Sequence, residues 1–442
     1  MTIRMDEGAA ELLDTLHRAG YAAYVVGGCV RDSLLGLTPH DWDLCTSALP
    51  QQGMELFGEE KCIPTGLQHG TVTVRQGGGL YEITTFRTEG TYTDGRHPDE
   101  VHFVPDVRED LARRDFTINA MAYNEKEGLV DPFGGQTDLQ SGILRAVGVP
   151  HQRFTEDALR ILRLYRFAAR FGFSIDPPTA QAAQELCAHL DCVSVERIEE
   201  ELAKLLSAPA PAAYLDEKIL GVVLPELSPE ALAAAKPVVD ACPAGERALP
   251  VRLAALLLSL GEDGTRRTLR RLRCSNACIE ETAVLVREVV SGVPGAFSSD
   301  TNRAIPSPAL LPAATGSHPS GRSSEKLPAR PPVSLNIYTR KLLGQYGLKT
   351  VQRLAALGTA LQPEHAADFA ALSELAKQLD ADGVCCRVSQ LAVNGRDLMA
   401  AGVPSGPGIR KVLEALLDGV IREEYPNERQ ALLTAVQQLA AS

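Results

Sequence analysis

The first 150 residues alternate short apolar runs with amphipathic stretches. Tyr24-Val25-Val26 is an apolar run that closes on Gly27-Gly28, the pattern of a strand entering a turn, and Val30–Leu35 begins a helix. Asp41–Leu44, Thr71–Val74, Tyr81–Phe86 and Val101–Val104 predict further strands, and the spacing over Glu109–Tyr123 predicts a helix. From about residue 151 the period becomes helical. Glu156–Phe171 predicts one long amphipathic helix, Ala180–Leu206 and Pro250–Leu272 continue the pattern, and no run after residue 150 reads as a strand. Residues 291–334 are rich in Pro, Ser, Gly and Ala. Such a stretch buries too little apolar surface to offset the entropy of ordering, so a mobile insert is expected. Helical spacing resumes near Leu335. The class predicted is α+β: an α/β head over 1–150, then an all-helical remainder.

Composition changes this picture little. The chain has 442 residues, 45% of them hydrophobic, enough for a sizeable core. Its formal net charge of −12 argues against binding nucleic acid by gross charge, but phosphates respond to local arginines. Ten cysteines show no zinc-type spacing, which suggests scattered thiols in a reducing, cytoplasmic setting. No apolar run of about 18 residues predicts a membrane span, and Met1–Leu16 does not read as a signal peptide.

Four groups of residues carry chemistry. Gly27-Gly28-Cys29-Val30-Arg31-Asp32 sits between a strand and a helix. Glycines allow close backbone approach, free N–H groups at the helix start suit a triphosphate, and Arg31 offers a charged donor. Alone, this is also an ordinary turn. Asp41-Trp42-Asp43-Leu44, read as a strand, puts both carboxylates on one face. They suit Mg2+ completed by substrate phosphates, and two such ions about 3.5–4 Å apart can serve a nucleotidyl transfer. Taken by itself the pair also fits a solvated strand edge. Together the two groups resemble the nucleotidyltransferase superfamily typified by DNA polymerase β, in which a later strand often adds a third carboxylate. Glu82 is the candidate here.

The third group is Arg113-Arg114-Asp115-Phe116-Thr117-Ile118-Asn119, where Arg114 suits a phosphate and Asp115 or Asn119 a ribose hydroxyl. The fourth is Glu156-Asp157-Ala158-Leu159-Arg160, continuing to Arg163 and Arg166. On one helix, Asp157 and Arg160 stand side by side. A carboxylate accepts and a guanidinium donates, so the pair fits the amino donor and ring acceptor of cytosine or adenine. Uracil or guanine would leave an acceptor facing the carboxylate, at a cost of about 1–3 kcal/mol. Arg163 and Arg166 are placed for phosphate or base contacts.

In this order the four groups closely resemble the class II CCA-adding enzymes of bacterial type, the tRNA nucleotidyltransferases. Pro64-Thr65-Gly66-Leu67-Gln68-His69-Gly70-Thr71, Asp131-Pro132-Phe133-Gly134-Gly135, Val193-Ser194-Val195-Glu196-Arg197 and the stretch around Asn394-Gly395-Arg396-Asp397 also resemble it. The resemblance implies a catalytic head (1–150), a neck that recognises the base (151–205), a body (206–290), and a body and tail that bind tRNA (335–442). It implies addition of C, C and A to the tRNA 3′ end, with CTP and ATP as donors. By motif, Asp41 and Asp43 would hold Mg2+, with Glu82 beside them, and Gly28, Arg31, Arg114, Asp157, Arg160, Arg163 and Arg166 would bind nucleotide. Arg87–Pro98, with Asp94-Gly95-Arg96-His97-Pro98, resembles the flexible loop that CC-only relatives lack. Poly(A)-adding relatives carry a basic run where this chain has Pro64-Thr65-Gly66-Leu67. An A-adding or poly(A) relative, and an inactive nucleotide-binding one, remain the alternatives. Leu253–Gly264 lacks the His-Asp pair of relatives with a phosphohydrolase domain, so no second hydrolytic activity is predicted. Arg270 and Arg271 within an Arg-rich run, and Arg410 and Lys411 after Gly406-Pro407-Gly408, are candidate RNA contacts. The oligomeric state stays open, a homodimer included.

Overall fold

The computed structural model describes residues 3–90, 100–291 and 334–441. Most of the Arg87–Pro98 loop and of the 291–334 insert therefore lies outside the described residues. The chain divides into two compact units, Met1–Pro225 and Glu226–Ser442. The division falls later than 150 or 205, because the helices after residue 150 pack within the same unit as the sheet.

The first unit is built on a seven-stranded mixed sheet. Its strands are β1 (Ala23–Val26), β2 (Leu44–Thr46), β3 (Cys62–Gly66), β4 (Thr71–Gln76), β5 (Gly79–Thr85), then, after a separate ribbon of β6 (Arg87–Glu89) and β7 (Val101–Phe103), β8 (Ala122–Asn124) and β9 (Gly128–Val130). The spatial order is β3-β4-β5-β2-β1-β8-β9. β2 runs antiparallel to β1 and parallel to β5. Helix α1 (Glu7–Arg18) buries Leu12, Leu13 and Leu16, each such side chain contributing about 1.5–3 kcal/mol of transfer free energy. Tyr24, Val26, Cys45, Phe86, Leu111 and Ala122 form a core around the sheet's centre.

Three predicted elements differ. The strand expected over Asp41–Leu44 begins only at Leu44, and the two aspartates lie in the stretch leading into it. The helix expected over Glu109–Tyr123 is instead α4 (Val107–Ala112), an extended Phe116, a 3-10 turn (Thr117–Asn119) and β8. Phe116, Ile118, Ala120, Met121 and Ala122 are buried on every side, so no amphipathic face exists. Asp115 also takes the Phe116 N–H at 2.8 Å, giving the backbone an alternative to a helix. Glu156–Phe171 breaks at Asp157, whose φ of −145° and ψ of 103° are extended; it separates α6 (Pro150–Glu156) from α7 (Leu159–Phe171). Asp157 Oδ1 accepts the Leu159 N–H at 3.0 Å and starts the new helix. One strand pair also appears past residue 150, where Ser174–Ile175 runs parallel to Ile143–Leu144. Helices α3 (Pro50–Phe57), α5 (Gly135–Ser141), α8 (Pro177–Leu186), α9 (Val195–Leu206) and α10 (Glu217–Val223) complete the unit.

The second unit is helical throughout its described residues. Its fully buried Arg252 donates to the Cys242 carbonyl at 3.1 Å. Near its end Asn394 and Asp397 cap a short helix reciprocally. Among the described residues no helix is long and apolar enough to cross a membrane. All ten cysteines are free thiols.

Candidate active site

The stretch before β2 alternates cleanly. Trp42 and Leu44 are buried, while Asp41 and Asp43 are exposed, so the two carboxylates share a face as the spacing predicted. The Asp43 carbonyl accepts the Val26 N–H at 2.9 Å, fixing this stretch beside the end of β1. On the other side Leu44 registers with Ile83 of β5. Ile83 and Tyr81 are buried and Glu82 is exposed between them.

Charge links these groups. Lost hydration pushes the Asp43 carboxyl up, and the charges of Glu82 and Asp41 push it further, against the opposing charge of Arg114. Asp43 is thus exposed at the surface while its hydration is incomplete. Like charges held together at a solvent-facing edge are what a cation relieves. Among the described residues no group of three or more His, Cys, Asp or Glu side chains is arranged to hold a metal unaided. Mg2+ takes one or two carboxylates and fills its shell with water and phosphate oxygens, and the paired carboxylates of Asp41 and Asp43 are donors of that kind.

Gly27 turns the chain next to the aspartates. Its φ of 78° and ψ of −122° are accessible to glycine and costly for other residues. A Cβ here would lie 3.0 Å from Arg114 Nη1. Gly28 then opens a helix of seven residues, α2 (Gly28–Leu34).

Arg31 differs from the expectation of an open phosphate donor. It is 4% exposed, donates to Asp32 from Nε (2.8 Å) and to Asn119 Oδ1 from Nη1 (2.5 Å), and lies over the Phe167 and Phe171 rings. Asp115 and Asn119 are likewise internal. Asp115 accepts from Asn119 Nδ2 (3.0 Å) and from Arg163 Nε and Nη2 (3.0 and 2.7 Å). Burial alone would push its carboxyl up; the Arg163 charge and these hydrogen bonds hold it well below the usual range. In this arrangement neither side chain faces outward to a ribose. Arg163 and Arg166 both meet Glu201, at 3.7 and 2.5 Å, so their charges are balanced internally too.

The Asp157–Arg160 reading also needs correction. The helix break at Asp157 removes the side-by-side helical pair. Asp157 pairs with Arg197 at 2.8 Å and Arg160 with Glu156 at 2.7 Å. Both keep spare capacity. Arg160 has five N–H donors, and its bonds to Arg153 O, Glu156 and Arg113 O use three of them.

Two residues that the sequence reading passed over matter here. Asp110, with no exposed surface, takes Arg113 at 2.9 Å and Arg114 at 3.2 Å. Burial would raise its carboxyl, but the Arg114 and Arg113 charges hold it below the usual range. Its spacing of three and four residues from the arginine pair was the available signal. Glu201 had none, because its partners lie about forty residues away in sequence.

In the second unit Arg270 and Lys411 are exposed. Arg271 is engaged by Glu226 at 2.7 Å and Arg410 by Glu414 at 2.8 Å.

Comparison with known proteins sets this geometry in context. Residues 23–145 match the family model "Poly A polymerase head domain", and residues 172–230 match "Probable RNA and SrmB- binding site of polymerase A". Residues 337–436 match a model of the second domain of tRNA nucleotidyltransferases. The CCA-adding enzyme of Lactiplantibacillus plantarum is 35% identical over 446 residues, which cover 99% of this chain and 97% of that one. That of Geobacillus stearothermophilus is 34% identical over 96% of this chain and 95% of its own. The crystal structure of the Bacillus stearothermophilus CCA-adding enzyme in complex with CTP superposes with a TM-score of 0.77 at 29% identity, covering 99% of this chain and 98% of that one. The Thermotoga maritima CCA-adding enzyme complexed with tRNA shares the fold at a TM-score of 0.60 and 20% identity, covering 99% of this chain and 97% of that one.

Proposed function

Because this chain belongs to the family of CCA-adding enzymes, we propose that it adds C, C and A to the 3′ end of tRNA from CTP and ATP, without a nucleic-acid template. The observation that carries this reading is the pair Asp41 and Asp43, exposed on one face between the Gly27 turn and Glu82. Mg2+ held by these two aspartates would neutralise triphosphate charge and make the attacking 3′-hydroxyl more acidic. Gly28 leaves room for the triphosphate, and Arg114, held by Asp110, places a positive charge beside it. Arg31, Asp115, Arg163 and Arg166 serve this site as the internal lattice that joins α2, the 113–119 segment, α7 and α9. Contact with the nucleotide itself would require some of those ion pairs to open.

Base choice falls to Asp157 and Arg160. The Asp157 carboxylate takes the exocyclic amino group and Arg160 donates to the ring nitrogen, which selects cytosine and adenine together. In the second unit Arg270 and Lys411 offer exposed charge to the tRNA backbone, and Arg271 and Arg410 would do so on release from their glutamates. The ten free thiols suit a reducing cytoplasm.

The test is incubation with tRNA lacking its 3′ CCA and each labelled triphosphate in turn. Incorporation of CTP, followed by ATP only after two C residues, is expected. Incorporation of ATP alone would make the chain an A-adding or poly(A)-adding relative. No incorporation would make it a binding protein.

A further inference from the structure

Two arginines of α6 and α7 share one carboxylate and grip one helix end. Glu156 accepts from Arg153 Nη2 through Oε1 (2.5 Å) and from Arg160 Nη1 through Oε2 (2.7 Å). The remaining arms point at α4. Arg153 Nη1 donates to the Ala112 carbonyl at 3.0 Å, and Arg160 Nη2 to the Arg113 carbonyl at 3.0 Å. These carbonyls close α4, where the helix supplies no partner of its own and its dipole favours cations. The next residue is Arg114, whose side chain lies against Gly27 and whose charge acts on Asp43. The residue after Glu156 is Asp157. One carboxylate and two guanidiniums therefore join the backbone just before the phosphate-facing arginine to the pair that reads the base.

We infer that Arg153 is a positioning residue that couples base selection by Asp157 and Arg160 to the grip of Arg114 on the triphosphate. Its side chain is 11% exposed and acts through its neighbours rather than on substrate. The inference rests on the assignment of Asp157 and Arg160 proposed above. A planar fork is what the geometry uses: one terminal nitrogen serves Ala112 O and the other Glu156. A lysine ammonium carries the charge without the fork. Without Arg153, Glu156 is left to Arg160 alone and can draw it from the Arg113 carbonyl.

The test compares R153K, R153Q and R160A in single-turnover extension of tRNA lacking CCA, with CTP and with UTP. For R153Q, a CTP rate and a CTP-over-UTP preference each lowered about tenfold are expected, the scale of one charge-assisted hydrogen bond. tRNA affinity should stay near the parent value, Tm should fall for R153Q with the lost ion pair, and R153K should restore part of the preference. If both Arg153 variants stay within twofold of the parent while R160A loses the preference, the coupling is overturned. If R160A also keeps it, the base-reading assignment falls and the coupling with it. A uniform loss for both triphosphates with a lowered Tm would reduce Arg153 to a stabilising residue and overturn the proposal.

Discussion

The carbonyl of Asp43 accepts the N–H of Val26 at 2.9 Å. Val26 is the last residue before the Gly27 turn, so the carboxylates proposed to hold Mg2+ and the turn proposed to face the triphosphate are set by the same pair of strands. Gly27 is the sensitive point. A side chain there would meet strain of about 1–3 kcal/mol and would press on Arg114 Nη1 at 3.0 Å. Gly27→Ala is expected to raise KM for both CTP and ATP by about tenfold or more, with tRNA affinity unchanged in a filter-binding titration.

Asp43 is strained by its neighbours when no cation is bound. Its carboxyl is raised by incomplete hydration and by Glu82 and Asp41. For an acid raised in the folded state, stability falls as pH climbs through its unfolded value. Asp43→Asn should therefore melt slightly higher than the parent at pH 7 in chelator, and no higher at pH 3. The same variant should be inactive. In the parent at limiting Mg2+, activity should fall on the acid side at a higher pH than an ordinary aspartate would give, because the raised Asp43 carboxyl holds its proton more tightly, and more Mg2+ should move that fall to lower pH.

Asp115 has the opposite sign. Its carboxyl is depressed, chiefly by Arg163 once burial is outweighed. Its contribution to stability is present above the ordinary aspartate value of 3.8 and is lost as pH falls through the lower folded value. Asp115→Asn leaves Arg163 without its main partner and should cost about 3 kcal/mol at pH 7, the scale for breaking a buried pair. Urea unfolding at pH 7 and at pH 3 measures it; the difference between variant and parent should shrink at the lower pH.

Exposed cations of the second unit should act on tRNA through phosphate alone. Lys411→Ala and Arg270→Ala are expected to weaken every tRNA alike, whatever its sequence. Each should reduce the slope of log affinity against log salt by about 1 if the residue meets a phosphate. Arg410→Ala should do less, because Glu414 already balances that charge.

Much of the acidic face was legible in the chain. The alternation Asp41-Trp42-Asp43-Leu44 carries its own burial pattern, because a two-residue period survives even where the regular strand has not yet begun. Glu82 between buried Tyr81 and Ile83 is legible for the same reason. What the chain concealed is how the charges are matched. Asp157 looks like the first turn of a long helix, yet its extended backbone separates two helices and its side chain starts the second. Arg31, Arg163 and Arg166 look like free donors, and each is held by acids: Asp32, Asp115 and Glu201. Such pairings join residues up to 48 positions apart, which no local period records. The apparent helix over Glu109–Tyr123 failed because apolar residues buried on all sides carry no period to read.

The most direct measurement of the central claim is single-turnover extension of tRNA lacking CCA by Asp41→Ala, titrated with Mg2+ at saturating CTP. Loss of transfer at every Mg2+ concentration, by about a thousandfold or more, with tRNA binding intact, is the result predicted. Transfer near the parent rate at any Mg2+ concentration would contradict it.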